Sequence, residues 1–179
     1  MTKQLDLLPR ADYENAEEQM MRPEVLKQPL LPLYEAIHNA IHASQERQAK
    51  DIAIDVEIHR DSANPINEIA RIEGFTVTDY GIGFTDEKTE AFFRLFTKNK
   101  KKSFNCKGIG RLAYFSSFVT VDVDSVLLVD DSFLERAFYV TISSIGTDEL
   151  PKAASSSRTE HKNVIKVHGL KAEFYERYG

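Results

Sequence analysis

The segment DIAIDVEIHR, residues 51–60, sets Ile52, Ile54, Val56 and Ile58 alternately with polar side chains. Successive side chains of an extended backbone point to opposite faces, so this spacing predicts a strand with one apolar face and one in water. ARIEGFTVTD, residues 70–79, predicts a second strand, and the polar DSANPIN between them predicts the turn of a hairpin. A hairpin cannot bury its own apolar face, so the remaining chain must cover it. Upstream, Leu30, Leu33, Ile37, Ala40, Ile41 and Ser44 recur at helical spacing, with Pro32 suited to the first turn. Downstream come the turn DYGIGF, a helical EKTEAFFRLFT, the lysine-rich loop KNKKKSFNCKG and a second helical stretch, GRLAYFSSF. The strand-like VTVDVDSVLLVD, ERAFYVTISS and NVIKVHGL follow. This order predicts an α+β two-layer sandwich, a mixed, mostly antiparallel sheet covered on one face by helices.

With 179 residues there is material for one such domain and little for a second. Residues 1–28 are polar and punctuated by proline, and read as an arm. Residues 29–170 read as the folded domain, and 171–179 as the start of a further element, so the chain reads as a piece of a longer protein. The stretch from Gly146 to Lys162 is expected to be a long mobile loop. A formal net charge of -5 argues against general nucleic-acid binding, although Lys98, Lys100, Lys101 and Lys102 form a local basic run. The single cysteine, Cys106, excludes an intrachain disulfide and a cysteine zinc cage. No apolar run has the length of a signal peptide core or a membrane span, and the expectation is a cytoplasmic protein.

Three short motifs carry chemistry. In YEAIHNAIHAS, Glu35 and Asn39 are one helical turn apart and share a face, where a carboxylate and an amide oxygen can hold a water and a magnesium ion. In DYGIGF, Asp79 ends a strand, where it can accept a hydrogen bond from an exocyclic amine, and Gly81 and Gly83 allow unusual dihedrals and close approach. In KGIGRLA, Lys107, Gly108, Ile109, Gly110 and Arg111 open a helix, where exposed N–H groups and flanking cations suit an anion. Each has an ordinary counterpart: a solvated helix face, a tight turn and a loop-to-helix junction. His38 and His42 also share a helix face but lack a third ligand, and read as packing or surface groups. Phe92, Phe93, Phe96, Phe115 and Phe118 are spaced as core.

Taken in order, these motifs resemble those of the GHKL superfamily, the ATPase domains of gyrase, heat-shock chaperones, histidine kinases and MutL. Glu35-x-x-x-Asn39 is similar to its N-box, Asp79-x-Gly81-x-Gly83 to its D-x-G-x-G box, and Gly108-x-Gly110 to the second half of its G-x-x-G-x-G box. The likeness spans about residues 30–170 and is nearest to bacterial heat-shock-like or MORC-like ATP-binding proteins. It implies a Bergerat-type fold that binds ATP and Mg²⁺. Asp79 would meet the adenine amine, with Gly81 and Gly83 shaping the base pocket. Asn39 would coordinate Mg²⁺, and Glu35 would be the general base. Gly108, Ile109 and Gly110 would offer N–H groups to the phosphates, with Lys107, Arg111 or a lysine of the 98–102 run offsetting charge. The sequence departs from the pattern at Asn105, where the family has glycine, and at Asn163 or Val164, where many members have threonine.

The resemblance implies an ATP hydrolase in which nucleotide closes a lid and a homodimer and so controls a downstream domain or protein partner. Two alternatives stay open: a protein kinase of the histidine-kinase or anti-sigma type, and an interaction module that binds ATP with negligible turnover. No histidine precedes His38, which leaves a histidine kinase without its phosphoacceptor helix in this stretch.

Overall fold

A computed structural model describes residues 30–66, 69–93, 110–141, 150–172 and 174. Within them the chain is an α+β structure of three helices and six strands. In chain order these are α1 (Leu31–Glu46), β1 (Ile54–Ile66), β2 (Ile69–Asp79), α2 (Asp86–Phe93), α3 (Gly110–Ser117), β3 (Phe118–Val129), β4 (Ser132–Thr141), β5 (Ala154–Ser155) and β6 (Lys162–Leu170). The strands form one sheet in the order β1-β2-β6-β3-β4-β5, so the last strand in sequence closes the gap between the two hairpins. Each pair is antiparallel, which corrects the expected mixed sheet. The sequence alone left the place of β6 open; insertion between β2 and β3 makes all its neighbours antiparallel.

The register builds the core in rows. Ile58, Phe75, Val167, Val121 and Val140 lie side by side across five strands, and Val56, Val77, Ile165, Val123 and Phe138 form the next row. Alternation puts both rows on one face. That face carries the helices, whose Ala36, Ala40, Phe93, Ala113, Tyr114 and Phe115 join the same buried cluster. α1 packs close because Pro32, Ala36, Ala40 and Ser44 make its buried stripe small, with Leu33 and Ile37 at its margin. Phe118 stacks edge-on against Phe75, and Phe92, Phe93 and Phe138 cluster with Phe84, so Phe92, Phe93, Phe115 and Phe118 pack in or against the core, while Phe96 lies outside the described residues.

Three expectations change in three dimensions. DSANPIN is not the hairpin turn: β1 runs on to Ile66, with a break in register between Asp61 and Ile66 that takes up the irregular segment. Pro65 is tolerated there because it falls in this unpaired stretch of an edge strand, where its missing N–H takes no bond from the β1–β2 ladder. For the same reason the apolar face of β1 is less covered than alternation implied, with Val56 43% and Ile58 40% exposed. Finally, residues 150–161 are tied to the sheet rather than free of it. β5 pairs with β4, and the Arg158 guanidinium makes a two-pronged bond to Asp124 (2.9 and 2.7 Å) and a third to Glu135 (3.3 Å).

The proposed arm (1–28), the lysine run, Cys106, Asn105, Lys107, Gly108 and Ile109 lie outside the described residues, as does most of 171–179. Among the described residues no helix is long and apolar enough to cross a membrane.

Candidate functional site

The third row across the sheet is polar. Asp79 on β2 pairs with Asn163 on β6, Asn163 with Ser125 on β3, and Ser125 with Arg136 on β4. All four are buried: Asp79 is 4%, Asn163 2%, Ser125 0% and Arg136 2% exposed. Buried polar groups cost free energy unless they are hydrogen-bonded. Here the Asn163 amide donates to Asp79 Oδ1 (2.8 Å), and its oxygen accepts from Ser125 Oγ (2.7 Å).

The turn after β2 is laid over this row and held by it. Gly81 N–H donates to Asp79 Oδ1 at 2.8 Å and Phe84 N–H to Ser125 Oγ at 2.9 Å. The Arg136 guanidinium donates to the Thr85 carbonyl (3.1 Å), the Thr89 hydroxyl and the Asp86 carboxylate at the start of α2. The two glycines are required by packing. A Cβ on Gly81 would lie 2.5 Å from the Ala43 carbonyl carbon of α1. Gly83, at φ +83°, would bring one within 2.8 Å of Ser125 Oγ and 2.9 Å of Asn163 Oδ1. The space their missing side chains leave is thus filled by the protein. They serve the site by fixing the turn against α1 and the polar row, and Ile82 N–H seals it to the Ala43 carbonyl at 3.0 Å.

Glu35 and Asn39 lie on α1, the helix whose Ala43 packs on this turn; both are partly buried, and Asn39 Nδ2 donates to Glu35 Oε1 at 3.2 Å. The shared helix face anticipated from their spacing is therefore present. What links them to Asp79 is Tyr114 of α3, a side chain with no solvent exposure. Burial first, then the nearby Glu35 and Asp79 carboxylates, push its hydroxyl well above the ordinary tyrosine range, while the Asn39 amide beside it acts the other way. The Asn39 amide is a donor near the hydroxyl, but not at full hydrogen-bonding geometry: among the described residues the Tyr114 hydroxyl has no partner that meets it.

Asp79 itself is held above the usual carboxylate range by burial, against the bonds from Asn163 and Gly81 and the charge of Lys88. Both bonds it accepts from described residues end on Oδ1, leaving the lone pairs of Oδ2 to a further donor.

Of the residues anticipated as a site, Glu35, Asn39, Asp79, Gly81 and Gly83 thus converge. Gly110 begins α3, with Arg111 next to it on the same helix. His38 and His42 stack edge-to-face with ring centroids 4.1 Å apart. Among the described residues no three His, Cys, Asp or Glu side chains are grouped to hold a metal. Asn163, noted in the sequence only as a departure, is the central member of the polar row. Ser125, Arg136 and Tyr114 were not anticipated. A serine and an arginine at inward positions of otherwise apolar strands are a visible signal, but only the strand order aligns them.

A cavity of about 300 Å³ lies elsewhere, lined by His59, Glu73, Lys166, His168, Gly169 and Leu170. His59, Gly74 and His168 are cross-strand neighbours one position out of phase with the core rows, which puts this hollow on the opposite face of the sheet. It is separate from the candidate site. No protein-family model and no curated protein matches this chain.

Proposed function

We propose that this chain is a Mg²⁺-dependent ATP-binding domain of the GHKL type with a Bergerat fold and slow ATP hydrolysis. One observation carries this reading. A buried carboxylate at the end of a strand, under a glycine turn, lies across from a Glu–Asn pair on the facing helix, with a buried hydroxyl between them. Two motifs far apart in sequence, Glu35–Asn39 on α1 and Asp79–Gly83 after β2, thus share one neighbourhood, which supports the reading.

The residues suit the ligand. Asp79 Oδ2 can accept from the exocyclic amine of adenine, and the fixed turn 80–84 forms a rigid wall for the base. Guanine presents a carbonyl at the corresponding position, which would leave Asp79 without a donor. Glu35 and Asn39 are oxygen donors, the kind magnesium selects, and a site with so few protein ligands suits an ion that keeps its waters and phosphate oxygens. Bound Mg²⁺ would supply charge neutralisation on the phosphate oxygens. Glu35 Oε1 is held by Asn39 Nδ2, which orients the carboxylate for accepting a proton from an attacking water. Asn163 or Val164 stands where many family members have threonine, and Asn163 supports Asp79 from behind.

Calorimetric titration of Mg²⁺-ATP and Mg²⁺-GTP tests the reading. ATP should bind measurably and GTP at least about tenfold more weakly, the effect of one unmade hydrogen bond to a buried group. Equal binding of both nucleotides, or of neither, would sink it. Labelled γ-phosphate should appear as free phosphate; its appearance on protein would replace the hydrolase with the kinase.

A further inference from the structure

Tyr114 is a large, fully buried side chain at this site whose single polar atom has no partner among the described residues, whereas Arg136, which leaves only its Nε unpaired, spends its other guanidinium N–H groups on Thr85, Thr89 and Asp86. A buried hydroxyl left unsatisfied is costly, and an apolar ring of the same shape would fill the position without that cost. Phenylalanine is used freely in the same cluster: Phe93, Phe115 and Phe118 all surround this core. The hydroxyl therefore does something that packing does not require. Its surroundings indicate what. It lies beside the Asn39 amide and near the Glu35 and Asp79 carboxylates. These come from α1 and β2, while Tyr114 comes from α3.

The Asn39 side chain can present either its oxygen or its nitrogen outward, and one of its N–H groups already goes to Glu35 Oε1. A single bond from a partly buried amide holds this choice weakly. A second acceptor on the same side settles it: with Nδ2 bonded to both Glu35 Oε1 and Tyr114 Oη, the amide oxygen can only face the ligand. We infer that Tyr114 is a positioning residue for the cation at this site, its hydroxyl accepting from Asn39 Nδ2 in the ligated state and turning Asn39 Oδ1 toward Mg²⁺. This rests on the ATP-binding reading above. The free chain, in which that bond is not made, tolerates an orphaned hydroxyl; the ligated chain completes it, so part of the stabilisation appears only on binding.

Two readouts of opposite sign follow for Tyr114→Phe. In the free protein, thermal and urea denaturation should show stability unchanged or raised, because the change removes an unsatisfied buried polar atom and keeps the ring. On titration, affinity for Mg²⁺-ATP should fall about tenfold, roughly the worth of one such hydrogen bond. Affinity for ATP in excess EDTA should stay within about twofold of wild type, the scatter expected where no bond is lost. A structural role would lower stability, or weaken binding alike with and without the metal; either overturns the inference, as does unchanged Mg²⁺-ATP affinity in a wild type that binds. A wild type that binds no ATP overturns the functional reading itself, and the two failures are thereby distinguished.

Discussion

Asp79 carries two demands that a single substitution can separate. Its Oδ1 anchors the turn through Gly81 and Asn163, and its charge is opposed by burial. Asparagine can keep the accepting oxygen and lose the charge. Asp79→Asn should therefore fold with the same turn and lose at least about tenfold in ATP affinity, because the acceptor facing the base becomes an N–H donor. The pH dependence of stability checks the physical premise. The folded-state pKa is raised, so the native protein binds this proton more tightly than the unfolded chain, and wild-type stability falls as pH rises through that pKa. The advantage of Asp79→Asn over wild type should be greatest near neutrality and shrink below about pH 4, where aspartate is protonated in both states. An advantage that grows on acidification would contradict the shift. Glu35→Gln keeps the oxygen that accepts from Asn39 and removes the base. It should leave ATP binding near wild type and slow phosphate release by about a hundredfold or more. Undiminished release would take Glu35 out of the chemistry.

Between elements, the polar row does work that helix and strand propensities do not express. Asn163 stands at the centre of the sheet with Asp79 on one side and Ser125 on the other, and through Phe84 the serine reaches the turn as well. Asn163→Ala should cost about 2–4 kcal/mol in urea denaturation, since it strands partners on both neighbouring strands. It should also raise the Asp79 pKa further, because the Asn163 bond is the larger of those holding it down. Gly81 tests the other contact of the turn. In Gly81→Ala the added methyl would meet the Ala43 backbone and side chain at 2.5–2.6 Å, so α1 must move. The expected loss is about 1–3 kcal/mol, measured by the same denaturation. ATP affinity should fall with it, because Glu35 and Asn39 ride on that helix. A stable Gly81→Ala protein with full affinity would show that the turn and α1 are not a rigid pair.

At the scale of the whole molecule, the exposed edge of the sheet is the feature that bears on self-association. β1 is an edge strand whose inward residues Val56 and Ile58 remain substantially exposed, a surface that monomeric proteins commonly protect. Nucleotide-driven dimerisation is the expectation that the family resemblance carries, and size-exclusion chromatography with multi-angle scattering is its test. A monomer that becomes a dimer on adding Mg²⁺ and a non-hydrolysable ATP analogue is the expected result. The same mass in both conditions would remove dimer closure from the mechanism and leave nucleotide binding standing.

Local periodicity determined much of this protein. The alternation in β1 to β4 and β6, the helical spacing and Pro32 of α1, and the start of α3 at Gly110 are properties of neighbouring residues, and they were legible as such. The pairing of Glu35 with Asn39 was legible too, because one turn of helix fixes it. The tertiary structure decided the rest. Strand order is a long-range matter: nothing near residue 163 states that β6 will lie between β2 and β3, yet that placement makes the sheet wholly antiparallel and joins Asp79 to Asn163 across 84 positions of chain. The same holds for Tyr114, which reads as one more aromatic on an apolar helix. Only packing α3 against α1 brings its hydroxyl among Glu35, Asn39 and Asp79, because burial and electrostatic environment depend on what the fold brings near, not on what precedes or follows in the chain.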